Sequence, residues 1–241
     1  MKKVISVLTV LALLLFAFAG CSSGNGKSES SKPQAEKSTS QSDKASEDDN
    51  SMQSTSNAAD ESKTAAGSNA IVVYFSRTGE QYSVGVIDEG NTAIVAKMIA
   101  EKTGADIFEI LPETDYYPYT YTELTKVAKK EQNENARPAI GSALPVMSKY
   151  DTVFIGAPVW WGDWPMIMYT FFESANLSGK KLIPFSTHEG SGLSGFDRKL
   201  SSAVPDAEVL TGLAVRGSDC QNDKAGVKSK VDEWISSLGL S

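Results

Sequence analysis

The stretch Ile71-Val-Val-Tyr-Phe-Ser-Arg-Thr-Gly79 constrains this chain more than any other. A run of β-branched and aromatic residues stops abruptly at Ser76, Arg77, Thr78 and Gly79, and a helical pattern opens at Asn91-Thr92. A buried strand that hands hydroxyls and a glycine to a helix start makes a phosphate cradle. The first N–H groups of a helix have no partner inside it and carry partial positive charge, so they attract an anion. Ser76, Thr78 and Thr92 offer hydroxyls, and Asn91 offers an amide. Gly79 lets peptide N–H groups approach closely. Arg77 has two readings, a phosphate partner or a solvated charge. Alone, the pattern also describes a Ser/Thr-capped helix with no ligand.

The front of the chain has a different character. Lys2 and Lys3 precede an almost wholly apolar run, Val4 to Ala19, short for a spanning helix and laid out like a secretory signal. It ends Phe18-Ala19-Gly20-Cys21. Small residues just before a cysteine resemble the bacterial lipobox, whose cysteine is lipidated and becomes the mature N-terminus. Phe18 stands where that family usually has Leu. The resemblance implies a lipoprotein signal peptide over 1–20, a lipid on Cys21, and a membrane lipoprotein on the extracytoplasmic face. An uncleaved anchor helix is the other reading. Residues 21–69 are mostly Ser, Lys, Asp, Glu, Gln and Asn. Such a segment cannot bury enough surface to offset its ordering entropy, so a disordered tether is expected there.

Residues 70–241 have the length of one ordinary domain. The net charge of −7 is concentrated in it: 16 basic against 22 acidic residues. A mildly acidic domain argues against nucleic acid and against electrostatic docking on a membrane. The chain has two cysteines; with Cys21 lipidated, Cys220 has no disulfide partner. One histidine and one remaining cysteine make a zinc site a poor expectation.

Apolar patterning predicts strands at Ala70–Ser76, Asp106–Leu111, Asp151–Ala157, Lys181–Thr187 and Glu208–Arg216. Pro184 lies inside the fourth and predicts an irregularity, since proline removes a ladder donor. Helical spacing covers Thr92–Glu101, a segment from Thr120 to Glu134 opened by the capping box Thr120-Tyr-Thr-Glu123, a helix begun at Pro165, a short one at Phe196–Leu200, and a closing one through Val227, Val231, Trp234, Ile235 and Leu238. Strands alternating with helices predict an α/β fold, a doubly wound five-stranded parallel sheet covered on both faces. Ligands of such sheets sit beyond the carboxyl ends of the strands, where strand order reverses.

Three loops leave that edge: Ser76–Gly79 with Asn91-Thr92, Pro158-Val159-Trp160-Trp161-Gly162, and Thr187-His188-Glu189-Gly190-Ser191-Gly192. Their wording resembles the flavodoxin-like family, specifically a bacterial branch of it, over essentially all of 70–241. The resemblance implies strand order 2-1-3-4-5 and bound flavin mononucleotide (FMN). It puts the phosphate in the first loop and the flavin ring near Val159, Trp160, Trp161 and Gly162. The peptide groups of the third loop then meet the polar edge of the ring. Glu189 near the ring would lower its reduction potential, and His188 is the candidate proton donor, the sole histidine of the chain. Flavodoxins commonly run straight from the glycine to Asn-Thr, whereas Glu80–Gly90 intervenes here, as a flap or a cover. Of Trp160, Trp161 and Trp164, one or more can instead pack the sheet edge.

No nucleophile–base pair, paired carboxylates or P-loop lysine is visible in the sequence. Three functions follow. The first is an FMN-binding electron carrier tethered by its lipid anchor, exchanging electrons with a redox partner protein or a small-molecule acceptor. The second is an NAD(P)H-dependent flavin or quinone reductase. The third is a non-redox binding lipoprotein that has lost flavin.

Overall fold

A computed structural model describes residues 69–239. The expected signal peptide, Cys21 and all of the expected tether but Asn69 lie outside the described residues.

The first strand, β1 (Ala70–Tyr74), is buried at every position. Its side chains alternate between two cores. Ile71 and Val73 join one, and Val72 and Tyr74 the other. A continuous apolar run of this kind is what a strand with both faces covered requires. After it come a hairpin, β2 (Gly79–Gln81) and β3 (Gly85–Ile87), and helix α1 (Asn91–Thr103). Strand β4 (Asp106–Glu109) and helix α2 (Tyr121–Glu134) follow. The chain continues through β5 (Thr152–Pro158), α3 (Met166–Ser174), β6 (Lys181–His188) and α4 (Phe196–Ala203). It closes with β7 (Glu208–Val209), β8 (Leu213–Arg216), α5 (Gly217–Asn222) and α6 (Lys224–Ser237).

The sheet runs β4-β1-β5-β6-β7, with β8 also on β6, and every pairing in it is parallel. In order of the main strands this is 2-1-3-4-5, as the resemblance implied. Side chains of α2, α3 and α4, among them Leu124, Ile167 and Leu200, fill the core on one face. Ile94 and Val95 of α1 and Val231 and Ile235 of α6 fill the core on the other.

Three local departures have physical causes. The fifth strand is two pieces rather than the single run Glu208–Arg216. Leu182 still accepts from Leu210 N–H at 2.9 Å, but pairing resumes only at Phe185 with Leu213. The break lies opposite Pro184, which has no N–H to give. The expected capping box is absent. Thr120 occupies the N-cap of α2 without a side-chain bond, and Glu80 of the hairpin instead accepts Tyr121 N–H at 2.8 Å. A carboxylate at a helix N-terminus is a stronger partner than a neutral hydroxyl. Third, the inserted segment is a hairpin anchored to α2, since Glu80 N–H also donates to Tyr119 C=O at 3.0 Å.

Gly156, in the middle of β5, has room for no more than hydrogen. A Cβ there would lie 2.0 Å from Phe185 Cζ, in the fully buried core. Gly156→Ala is expected to lower stability by about 1–3 kcal/mol through overpacking. Urea denaturation checks this, and an unchanged midpoint would show that the ring can move aside.

Candidate functional site

The carboxyl ends of β1, β5 and β6 lie side by side, so the three loops converge where strand order reverses. Two buried bonds join them. Thr92 and Thr187 share a hydroxyl–hydroxyl bond of 2.7 Å, with both residues almost fully buried. Val159 N–H donates to Thr187 C=O at 2.9 Å. Above them opens a cleft of about 530 Å³, within the usual range for small-molecule sites.

One end of the cleft is polar. Ser76 Oγ accepts Ala93 N–H, the third amide of α1, at 3.1 Å. Its hydroxyl proton stays available to an acceptor in the cleft. The amides of Asn91 and Thr92 have no acceptor within the helix. Asn91 Oδ1 accepts from Gln221 Nε2 at 2.7 Å, which leaves its amide N–H groups as donors. Two glycines let this end close. A Cβ on Gly90 would meet Ser76 Oγ at 2.1 Å, and one on Gly217 would meet Asn91 Nδ2 at 2.4 Å.

Arg77 lines the cleft, yet its guanidinium turns outward to the 115–118 segment. It bonds Asp115 at 3.0 Å and Tyr117 C=O at 2.8 Å, and its Cζ stands 5.5 Å from the Tyr117 ring centre. Its Nε is buried without a partner. With its side chain 14% exposed and paired to Asp115, Arg77 is not a solvated charge.

The other end is aromatic. Trp160 is half-buried and packs edge-on against Phe75 at 5.4 Å and Tyr117 at 5.2 Å. Trp160 and Asp163 exchange two backbone bonds of 2.9 Å, which closes a tight turn over Trp161 and Gly162. Both turn residues have positive φ, 50° and 73°, the pattern of a type I′ turn. Glycine adopts it freely, whereas for a tryptophan it is strained and needs support. That support is visible. Trp161 Nε1 donates to Thr125 C=O at 2.9 Å, Lys129 Nζ sits 5.1 Å from the indole centre, and Lys199 binds Gly162 C=O. The Trp161 ring is held against α2 and remains 54% exposed. Trp164 is a core residue, stacked on Phe196 at 3.6 Å.

The third loop supplies the remaining wall. His188 Nδ1 accepts Gly190 N–H at 2.9 Å, so the neutral ring carries its proton on Nε2. Burial holds the His188 pKa below its ordinary value; Lys230 and Arg216 push it the same way, against Glu189 and Asp219. The Glu189 carboxylate accepts Ser218 N–H at 2.6 Å at the start of α5, and Ser218 Oγ at 3.3 Å. Ser186 Oγ donates to Gly192 C=O at 3.0 Å and fixes the far side of the loop.

Of the residues singled out from sequence, Ser76, Arg77, Asn91, Thr92, Pro158, Val159, Trp160, Trp161, Thr187, His188, Glu189 and Ser191 line the cleft. Thr78 is exposed, Gly79 begins β2, and Gly162, Gly190 and Gly192 shape turns without lining it. Sequence reasoning missed Gln81 and Tyr82 of the hairpin, Tyr121, Leu124, Thr125 and Ala128 of α2, and Gly217. The α2 set had a signal, the helical spacing of Tyr121, Leu124, Thr125 and Ala128 on one face.

A doubly wound parallel sheet with a polar helix start and an aromatic wall at its switch point defines a nucleotide- or flavin-binding class of α/β domain. The family model described as Flavodoxin matches residues 70–236. The chain belongs to the flavodoxin family. It is similar to the crystal structure of a protein from Bacteroides uniformis provisionally assigned as a flavoprotein. Identity is 30%, with TM-score 0.57, over 70% of this chain and 99% of that one. A counterpart from Bacteroides eggerthii, assigned in the same way, matches at 28% identity and TM-score 0.56, over 71% and 98%. A flavoprotein from Lactobacillus acidophilus in complex with FMN matches at 19% identity and TM-score 0.49, over 65% and 97%. No curated protein matches the chain.

The lone histidine makes the loop chemistry directly measurable. With a folded-state pKa below the unfolded one, His188 binds its proton later in the native state than in the unfolded chain. Stability is then expected to fall as pH drops below about 6.5 and on down to the folded pKa. In proton NMR the single imidazole resonance should titrate below the ordinary value of 6.5. A midpoint at or above that value would contradict the half-buried, Nδ1-accepting ring.

Proposed function

We propose that this protein is an FMN-binding, flavodoxin-like electron-transfer protein. The observation that carries the reading is the union, in one cleft at the strand-order switch, of an anion cradle and an aromatic wall. The donor set suits a phosphate monoester: the Ser76 hydroxyl, the Asn91 amide, and the first amides of α1 with their partial positive charge. The opposite end suits a flat, polarisable ring, with Trp160 and Val159 offering apolar surface. FMN supplies reversible one- and two-electron redox chemistry when bound.

The protein's own residues then bind, orient and tune. The Thr92–Thr187 bond fixes the phosphate end relative to the third loop. Neutral His188 offers an N–H at Nε2 in the cleft, and its depressed pKa keeps it uncharged near neutral pH. The charge of Glu189 is partly met by Ser218 and by the start of α5. A lipid on Cys21 and the segment 21–69 would hold the domain at the extracytoplasmic face of a bacterial membrane, a reading carried by the sequence alone. The electron partner is a redox protein or a small acceptor.

A reductase of small planar acceptors is the second reading. It is favoured by Tyr82, Tyr121 and Trp161, aromatic residues that line the cleft and remain exposed. Direct oxidation of NADH or NADPH by the purified protein would select it, whereas a rate that needs an added reductase protein selects the carrier.

Titration of the protein with FMN and with riboflavin, followed by the visible spectrum and flavin fluorescence, tests the binding reading. FMN is expected to bind the more tightly. Ser76→Ala should weaken FMN by about tenfold or more, the effect of a hydrogen bond to a charged group worth about 1.5–3 kcal/mol, and leave riboflavin unaffected. Equal losses for both ligands would remove the phosphate from the α1 end, and no spectral change with FMN would sink the flavin reading.

A further inference from the structure

Trp160 is the cleft residue from which a continuous aromatic contact leads outward. Its ring centre lies 5.2 Å from that of Tyr117, at 73°. Tyr117 is only 5% exposed, and its ring centre lies 4.7 Å from Tyr116, which is 45% exposed. Both phenols donate to one carboxylate. Tyr117 reaches Glu131 Oε2 at 3.2 Å, and Tyr116 bonds Oε1. Glu131 is itself 6% exposed. Burying a carboxylate is costly, and two phenol donors offset that only in part. A pair of Phe side chains packed on a Leu would fill the same space without it. The arrangement therefore asks for a purpose beyond packing.

We propose that Trp160, Tyr117 and Tyr116 form a relay that carries an oxidising equivalent from the cleft to the surface, with Glu131 accepting the phenolic proton. Indole and phenol are the side chains that most readily give up one electron, and here they touch in sequence. The proposal rests on the flavin reading, because a photoexcited flavin ring in the cleft is the one-electron oxidant.

The steps balance. Trp160 loses one electron to the photoexcited ring, which is reduced by one electron. Tyr117 returns an electron to Trp160 and passes its phenolic proton to Glu131. Tyr116 then gives an electron to Tyr117. The proton held on Glu131 goes back to Tyr117, and Tyr116 delivers its own proton to the same carboxylate. The net result is an intact Trp160 and Tyr117, a neutral tyrosyl radical at the exposed Tyr116, and one proton on Glu131.

Arg77 favours release of the proton with the electron. Its guanidinium lies 5.5 Å from the Tyr117 ring centre and disfavours positive charge on that ring, although Asp115, paired with it at 3.0 Å, offsets part of its field. Burial raises the Glu131 pKa, which makes it a more basic acceptor than a solvated carboxylate.

The experiment uses the full chain loaded with FMN, loading being verified by its visible spectrum. Blue light is applied with ferricyanide present to reoxidise the reduced ring, and radicals are read by transient absorption and electron paramagnetic resonance. Wild type should yield a neutral tyrosyl radical that added ascorbate removes. Tyr117→Phe and Glu131→Gln should each lose that signal and retain an indole radical. Tyr116→Phe, a change at an exposed position that removes one hydroxyl, should keep a tyrosyl signal but lose its sensitivity to ascorbate. An undiminished, ascorbate-sensitive tyrosyl radical in Tyr117→Phe would overturn the relay, as would an indole radical alone in wild type. A chain that never acquires a flavin spectrum overturns the cofactor reading and with it the source of the oxidising equivalent, an outcome distinct from a yellow protein without a tyrosyl radical.

Discussion

The hydroxyl–hydroxyl bond between Thr92 and Thr187 holds the architecture of the cleft together. It joins the first turn of α1 to the end of β6 across the sheet edge. Both residues are buried, so neither hydroxyl has water as an alternative partner. Breaking the pair would leave an unsatisfied polar group in the core, a loss larger than the net worth of an ordinary hydrogen bond. Its second link, Thr187 C=O to Val159 N–H, brings the tryptophan loop into the same frame. The polar and aromatic ends of the cleft thus share one rigid support, and the spacing between them is a property of the sheet rather than of mobile loops.

The parts of this design legible in the sequence are those with strong local causes. Ile71–Phe75, Val153–Ile155 and Leu182–Ile183 announce strands because a sheet covered on both faces needs unbroken apolar runs. Ser76, Asn91 and Thr92 announce a helix start because few other residues serve there. Pro184 announces an irregularity in its own strand, yet β6 runs unbroken from Lys181 to His188 and the break falls in the neighbouring strand instead. The α2 wall was not legible as part of the cleft, although its apolar face was, because a helical period gives a buried face and not what lies across from it. The hairpin defeated local reasoning in a different way. Glu80 replaces Thr120 as the partner of the α2 N-terminus, and the two are separated in the chain by β3, α1 and β4.

The three tryptophans between Pro158 and Pro165 show how one composition signal resolves into three physical roles. Trp164 is core, stacked on Phe196. Trp160 is a wall residue with its edge contacts buried behind it. Trp161 is displayed on a strained turn that Thr125, Lys129 and Lys199 hold in place. Spacing alone could not separate them. The glycine between Trp161 and Asp163 sets the turn, and the turn decides which indole goes inward.

The interrupted fifth strand has a bearing on how these molecules behave in one another's company. A sheet ends in a row of amide and carbonyl groups that can recruit a strand from a neighbouring chain. Here that margin is only two residues, then a gap, then four more. The opposite margin, β4, is four residues long and carries Asp106 and Glu109. Neither border offers a long, flat, uncharged template, so crowded copies would find little purchase for strand-by-strand polymerisation.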